Sequence, residues 1–172
     1  GVLTQHAERL FQLTASRDDK VRLATVGLLG QLLRQGLLNP MDAVLHLFAL
    51  QGDVQQPQNR SMSLKLLIAE AEKRPDMIRQ RVCAGVKQAY IFQRAVYPAQ
   101  VDPTAVVRRK SSKTSEVESI FSNVFVECIR SSKKQRHGLY LTMLTLFDIE
   151  DHSHHPSSPG KSRAPLDLPL LS

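Results

Sequence analysis

The sequence is short of the features that mark most kinds of chemistry. Its 172 residues include two cysteines, Cys83 and Cys128, too few for a disulfide framework. Each falls in an apolar helical pattern, so both read as buried free thiols, which suits a reducing compartment. No run approaches the roughly 20 apolar residues that a membrane span needs, so no membrane partner is expected. Neither an initiator methionine nor a signal peptide precedes the helical pattern that starts at Gly1-Val2-Leu3, and the chain reads as a piece of something longer. No serine sits in a Gly-x-Ser-x-Gly elbow. Gly27, Gly30, Gly36 and Gly85 are spaced for caps and close helix packing, not for a phosphate loop. His152, His154 and His155 beside Asp151 have ligand chemistry, but their Ser- and Pro-rich surroundings lack an ordered scaffold, so neither metal nor cofactor is expected. His137 reads as a solvated turn residue. No segment alternates like a strand. The expectation is an all-α chain without an active site of its own.

What the sequence does have is helical periodicity and positive charge in one place. The formal net charge is +7. Residues 1–72 hold seven Lys/Arg and seven Asp/Glu, residues 73–137 hold fourteen against five, and residues 138–172 hold two against four. The middle block therefore carries the whole excess, which points to an acidic partner, either nucleic acid or an acidic protein segment. Within it, Arg79, Arg81, Lys87 and Arg94 lie along one helical pattern. Arg108, Arg109, Lys110 and Lys113 sit in a connector, and Lys133, Lys134 and Arg136 at an interhelix turn. The candidate contacts to DNA or an acidic partner are Arg79, Arg81, Lys87, Arg108, Arg109, Lys110, Lys113, Lys133, Lys134 and Arg136, because backbone phosphates need only positive charge held at a spacing. A solvated face with a flexible basic loop is the plainer account of the same residues.

Apolar positions recur at helical spacing up to Phe147 and predict seven helices. The first runs from Val2 to about Leu13. The second follows Asp18 or Asp19, either able to accept from the free N–H groups of its first turn, and closes before Gly36, placed for a left-handed cap. Asn39 is a good N-cap and Pro40 fits the first position of the third, which runs to about Leu50. The fourth covers about Gln58 to Lys73 and is ended by Pro75. The fifth opens at Asp76 and runs to about Val96. After a connector over 97–114, Ser115-Glu116-Val117-Glu118 reads as a capping box opening a sixth helix from Glu116 to about Arg130. The basic turn Lys133-Lys134-Gln135-Arg136 leads into the seventh, and a tail over 149–172 is expected to be disordered.

The helices fall into short-looped pairs that resemble one another. Arg22 of Asp19-Lys20-Val21-Arg22 lies 38 residues before Arg60 of Gln58-Asn59-Arg60, and Pro40 lies 35 before Pro75. Both spacings fit a two-helix repeat of the HEAT class. The expected fold is a HEAT-type helical solenoid of about three helix pairs over residues 1–148. In such a stack each pair has apolar surface on two sides and needs neighbours to cover both.

Three blocks also carry a family resemblance. The stretch from Arg34 to Leu47, RQGLLNPMDAVLHL, followed by Asp53, resembles a turn in the C-terminal HEAT region of the cohesin loader, the sister chromatid cohesion protein 2/Nipped-B family. NRSMSLKLLIAEAEKRPDMIRQRVCAGVKQAYIFQRAV and FVECIRSSKKQRHGLYLTMLTLFD continue the likeness in the same order, over residues 19–148. The resemblance implies a non-catalytic nuclear scaffold that helps bring the cohesin ring onto chromatin. The partners it implies are double-stranded DNA, the kleisin and ATPase-head subunits of cohesin, and a second loader subunit. The reading from a different class is a general HEAT adaptor that grips a peptide segment of a partner protein.

Overall fold

The computed structural model describes residues 2–53, 55–98, 108–110 and 117–152. Five helices come first: α1 (Val2–Leu13), α2 (Asp19–Arg34), α3 (Pro40–Leu50), α4 (Pro57–Lys73) and α5 (Pro75–Val96). Two three-residue strands follow, β1 (Arg108–Lys110) and β2 (Val117–Ser119), then the short α6 (Phe121–Val124), a π-helical turn (Phe125–Ile129) and α7 (Lys133–His152). The chain is an all-α helical solenoid, as expected, with one small antiparallel ladder added.

Local chemistry sets most of the boundaries. Asp18 is the N-cap of α2, accepting from Lys20 N at 2.9 Å and Val21 N at 3.5 Å. The exit from α2 is a Schellman turn: Gly36 adopts φ +70°, its N–H donates to Leu33 O, and Leu37 N donates to Leu32 O. Asn39 caps α3 by accepting from Met41 N at 3.1 Å. Pro57 and Pro75 occupy the first turns of α4 and α5, where a missing N–H costs nothing. Pro75 therefore begins the fifth helix, and only Arg74 separates it from the fourth.

The helices stack in two layers in which neighbours are two apart in sequence. In one layer α1, α3, α5 and α7 follow each other; in the other, α2 packs on α4, and α4 on α6 and the π turn. This order is what a pairwise repeat predicts, because each pair lays its two helices on the corresponding helices of the pair before it. The core runs through α3, where Ala43, Val44, Leu47 and Leu50 are fully buried. Its contact with α5 is close. A Cβ on Gly85 would stand 2.7 Å from Phe48 Cγ, so only glycine lets the two helices approach this far.

A polar lattice crosses the buried seam between successive pairs. The Arg22 guanidinium, 1% exposed, donates to both carboxylate oxygens of Asp53, at 2.8 Å and 3.2 Å, and to Tyr97 OH at 3.0 Å. Its other nitrogen donates to the carbonyls of Ser16 and Arg17. Asp53 also accepts from Asn59 Nδ2 at 2.7 Å and from Tyr97 OH. Arg60, the counterpart of Arg22 one pair later, donates to the Asp53 carbonyl. The arginines that mark the repeat in the sequence thus meet at one loop and fix the register of adjacent pairs.

Two expectations need correction. Val117–Ser119, expected within the sixth helix, is extended and pairs with Arg108–Lys110; the sixth begins at Phe121 and passes into the π turn, with Arg130 N donating to Phe125 O. Cross-strand hydrogen bonding takes up the backbone groups that a capping box would otherwise direct into a helix. Lys133 to Arg136 form the first turn of α7 itself, capped by Ser132 Oγ, which accepts from Gln135 N. The connector residues 99–107 and 111–116, and 153–172 of the expected tail, lie outside the described residues.

A candidate basic interface at the helix turns

The first turns of α5 and α7 meet around one carboxylate. Asp76 accepts from Gln135 Nε2 of α7 at 3.0 Å and from Arg79 Nη2 at 3.5 Å, and Lys134 Nζ stands 3.8 Å away. The Gln135 hydrogen bond, and after it the Lys134 charge, holds the Asp76 carboxyl below its ordinary range. The Arg79 stem lies along the α7 backbone at Gly138, where a Cβ would come 2.4 Å from Arg79 Cδ.

Further cations gather at the same edge. Lys73 and Arg74, in the turn that leads into α5, both bond the nearly buried Glu70 at 2.7 Å. Arg136 donates back to the carbonyl of Arg130, across the turn between the π segment and α7. Lys133 and Lys134 point outward, the latter with 82% of its side chain exposed. The α4–α5 turn and the turn that opens α7, which meet at Asp76, thus carry Lys73, Arg74, Arg79, Arg130, Lys133, Lys134 and Arg136, with Glu70 and Asp76 among them.

The ten sequence candidates divide accordingly. Lys133, Lys134, Arg136 and Arg79 belong to this edge, though Arg79 is largely occupied by Asp76 and Gly138. Arg81 is about 200° around α5 from Arg79 and faces Asp42 of α3 at 3.8 Å, away from the edge. Lys87 is exposed two turns further along α5, on the side that also carries Arg94, whose guanidinium lies 5.6 Å over the Tyr90 ring. Arg108, Arg109 and Lys110 form β1, paired with Ser119, Glu118 and Val117. Lys113 lies outside the described residues. Lys73, Arg74 and Arg130 were absent from the sequence candidates. Their signal was position, since each stands in or beside a turn of the net-positive block.

Other side chains with reactive potential are held in unreactive states. Burial pushes the Cys128 thiol up to about 11, helped by Glu127, and burial also raises Cys83. His46 is stacked on Phe11 with ring centroids 4.4 Å apart, and burial lowers it to about 4. Among the described residues, no group of three or more His, Cys, Asp or Glu could hold a metal ion, and no helix is long and apolar enough to cross a membrane.

Comparison with known proteins identifies the family of the chain. Residues 1–166 match the family described as "Sister chromatid cohesion C-terminus". The chain is 27% identical to the Nipped-B-like protein of Homo sapiens over 148 residues, which is 86% of this chain and 5% of that protein. Against Nipped-B-like protein A of Danio rerio it is 26% identical over 85% of the chain and 6% of that protein. The Nipped-B protein of Drosophila melanogaster is 24% identical over 88% of the chain and 7% of its own length. The chain therefore spans about one-twentieth of the curated relatives it matches. It belongs to the sister chromatid cohesion C-terminal family, the C-terminal region of the Nipped-B cohesin loaders.

Proposed function

We propose that this segment is a non-catalytic part of a cohesin-loading scaffold that works on chromatin in the nucleus, and that its turn edge contacts the DNA backbone. The observation that carries the reading is the convergence of cations from the starts of α5 and α7 around Asp76. Charges fixed on adjacent turns of a rigid stack suit a sequence-independent grip on phosphates, which needs spacing and sign but no base readout. The kleisin and ATPase-head subunits of cohesin and a second loader subunit are the protein partners the reading entails.

The test is duplex DNA binding as a function of salt. Affinity for duplexes of any sequence is expected to fall steeply, with each phosphate contact adding about −0.9 to the log–log slope. Reversing Lys133, Lys134 and Arg136 to Glu is expected to weaken binding equally across sequences and to flatten that slope, with helical content unchanged. Binding indifferent to salt, or none at low ionic strength, would put the peptide-adaptor reading ahead.

A further inference from the structure

Only Arg130, Ser131 and Ser132 stand between the π turn and α7, and they run straight into the cations that open that helix. From residue 128 to residue 147 the sequence carries Arg130, Lys133, Lys134 and Arg136 and no carboxylate. The two hydroxyls of the turn are not equivalent. Ser132 Oγ accepts from Gln135 N at 3.3 Å and so caps α7, whereas Ser131 is exposed, as are Arg130, Lys133 and Lys134 on either side of the serine pair. Arg136 folds back and donates to the Arg130 carbonyl, the peptide oxygen immediately before Ser131. Its guanidinium is thereby held beside Ser131, with further N–H donors on the same planar fork. An exposed hydroxyl flanked on both sides by cations, one of them already tied to its own peptide unit, is set to become a bound anion once it is esterified.

From this we infer that Ser131 is a phosphorylation site for a serine/threonine kinase that selects basic residues on both sides of its acceptor, and that the phosphate releases the edge from DNA. The inference rests on the DNA-backbone contact proposed above. In the transfer, Ser131 Oγ attacks the γ-phosphorus of Mg·ATP, the bond from that phosphorus to ADP breaks, and the hydroxyl proton passes to the kinase's general base. A kinase takes its acceptor in an extended stretch, so the first turn of α7 has to fray, and helix ends are among the least costly parts of a fold to open. The product carries a charge of about −1.5 to −2 and three acceptor oxygens, set against Arg130, Lys133, Lys134 and Arg136. Paired with two of these cations, it withdraws two contacts from the DNA. At about 0.9 per contact, the log–log salt slope becomes shallower by about 1.8, and affinity falls roughly tenfold to a hundredfold at about 0.1 M salt.

The full chain and its Ser131→Ala variant are each treated to completion with the catalytic fragment of protein kinase C and Mg·ATP. Mass spectrometry locates the phosphate, and duplex DNA binding is measured across a salt series before treatment, after it, and after a phosphatase. Ser131 is exposed, so the variant keeps the fold, which circular dichroism checks. The parent is expected to take up phosphate on Ser131, to lose affinity and slope as worked out above, and to recover both with the phosphatase. Serines elsewhere react alike in the two chains, so the difference between treated parent and treated variant is the effect of Ser131. No phosphate on Ser131, or a treated parent and treated variant that bind alike, would overturn the inference and leave the DNA reading standing. An untreated chain that binds no duplex at low ionic strength overturns that reading, and the switch with it.

Discussion

Removing the carboxylate of Asp53 should be far more damaging than its place in a loop suggests. Asp53 is fully buried and neutralises Arg22, itself 1% exposed. In Asp53→Ala the guanidinium loses both carboxylate bonds and keeps only Tyr97 OH and the carbonyls of Ser16 and Arg17, none of which carries charge. Breaking one side of a buried ion pair costs about 3–5 kcal/mol. Asn59 Nδ2 and Tyr97 OH also lose an acceptor, a loss that belongs to the same network and does not simply add. Against a total stability of about 5–15 kcal/mol, this is a large fraction. Since each kcal/mol moves Tm by about 2–4 °C in a chain of this size, a fall of roughly 10 °C is expected. Thermal and urea unfolding of three proteins decide the matter. Asp53→Ala should be the least stable, while the volume-matched double replacement Arg22→Met with Asp53→Leu should lie nearer the parent, because no uncompensated charge remains. A drop of less than about 2 °C for Asp53→Ala, or a double replacement worse than the single, would refute the claim that the pair acts through its buried charge.

Other substitutions and conditions make sharper tests of single contacts. Gly85→Ala is expected to destabilise by about 1–2 kcal/mol despite a better helix former, because its Cβ meets the Phe48 ring at 2.7 Å. Gly27→Ala, with nothing within 4 Å, should stabilise by up to about 1 kcal/mol, so urea midpoints moving the same way in both would contradict the packing argument. His46, lowered to about 4 in the folded chain from an ordinary 6.5, is neutral when folded, and the unfolded chain binds the extra proton. Stability from this residue is therefore complete above about 6.5 and drains away towards 4, by about 2 kcal/mol once partial exposure is allowed for. His46→Gln should flatten that part of the pH profile, read as urea midpoints at neutral and mildly acid pH. With Cys128 raised from 9.0 to about 11, alkylation at neutral pH should be about a hundredfold slower than for a free thiol, measured by mass spectrometry.

The sequence was most legible where the determinants are local. Asp18, Gly36, Asn39 and Pro75 each decide a boundary through groups within a few residues, and the structure places the boundaries there. It was least legible around residue 120. There Ile120, Val124 and Ile129 are buried at spacings of four and then five. A five-residue step leaves the face of an α-helix, and only a turn with i→i+5 hydrogen bonds keeps Ile129 on the core side, hence the π segment. The pattern was visible, but its meaning depended on knowing that both ends point inward. Tyr97 was hidden in another way. It looks like the first residue of a connector, yet its hydroxyl reaches a carboxylate 44 positions earlier. At the basic edge, composition revealed the excess charge, whereas the division of work among the cations did not follow from it. Arg79 and Arg81 are near neighbours in sequence with opposite fates, because α7 supplies Gly138 and Gln135 on one side of α5 and α3 supplies Asp42 on the other.

The carboxylates at that edge bear on whether its cations remain available to a phosphate. Glu70 is 4% exposed at its side chain, and its bonds to Lys73 and Arg74 are short, so those two are tethered. Asp76 is different. Its side chain is 45% exposed, Lys134 stands 3.8 Å away in open solvent, and Arg79 reaches it only at 3.5 Å. Exposed pairs of this kind contribute about 0–1 kcal/mol. Exchanging the Asp76 carboxylate for a backbone phosphate therefore costs Lys134 almost nothing, while Gln135 keeps Asp76 occupied and the two helix starts together. A surface held in shape by a neutral hydrogen bond, with its cations only loosely paired, can change anionic partners without rearranging the stack. That property suits the DNA-backbone contact proposed above.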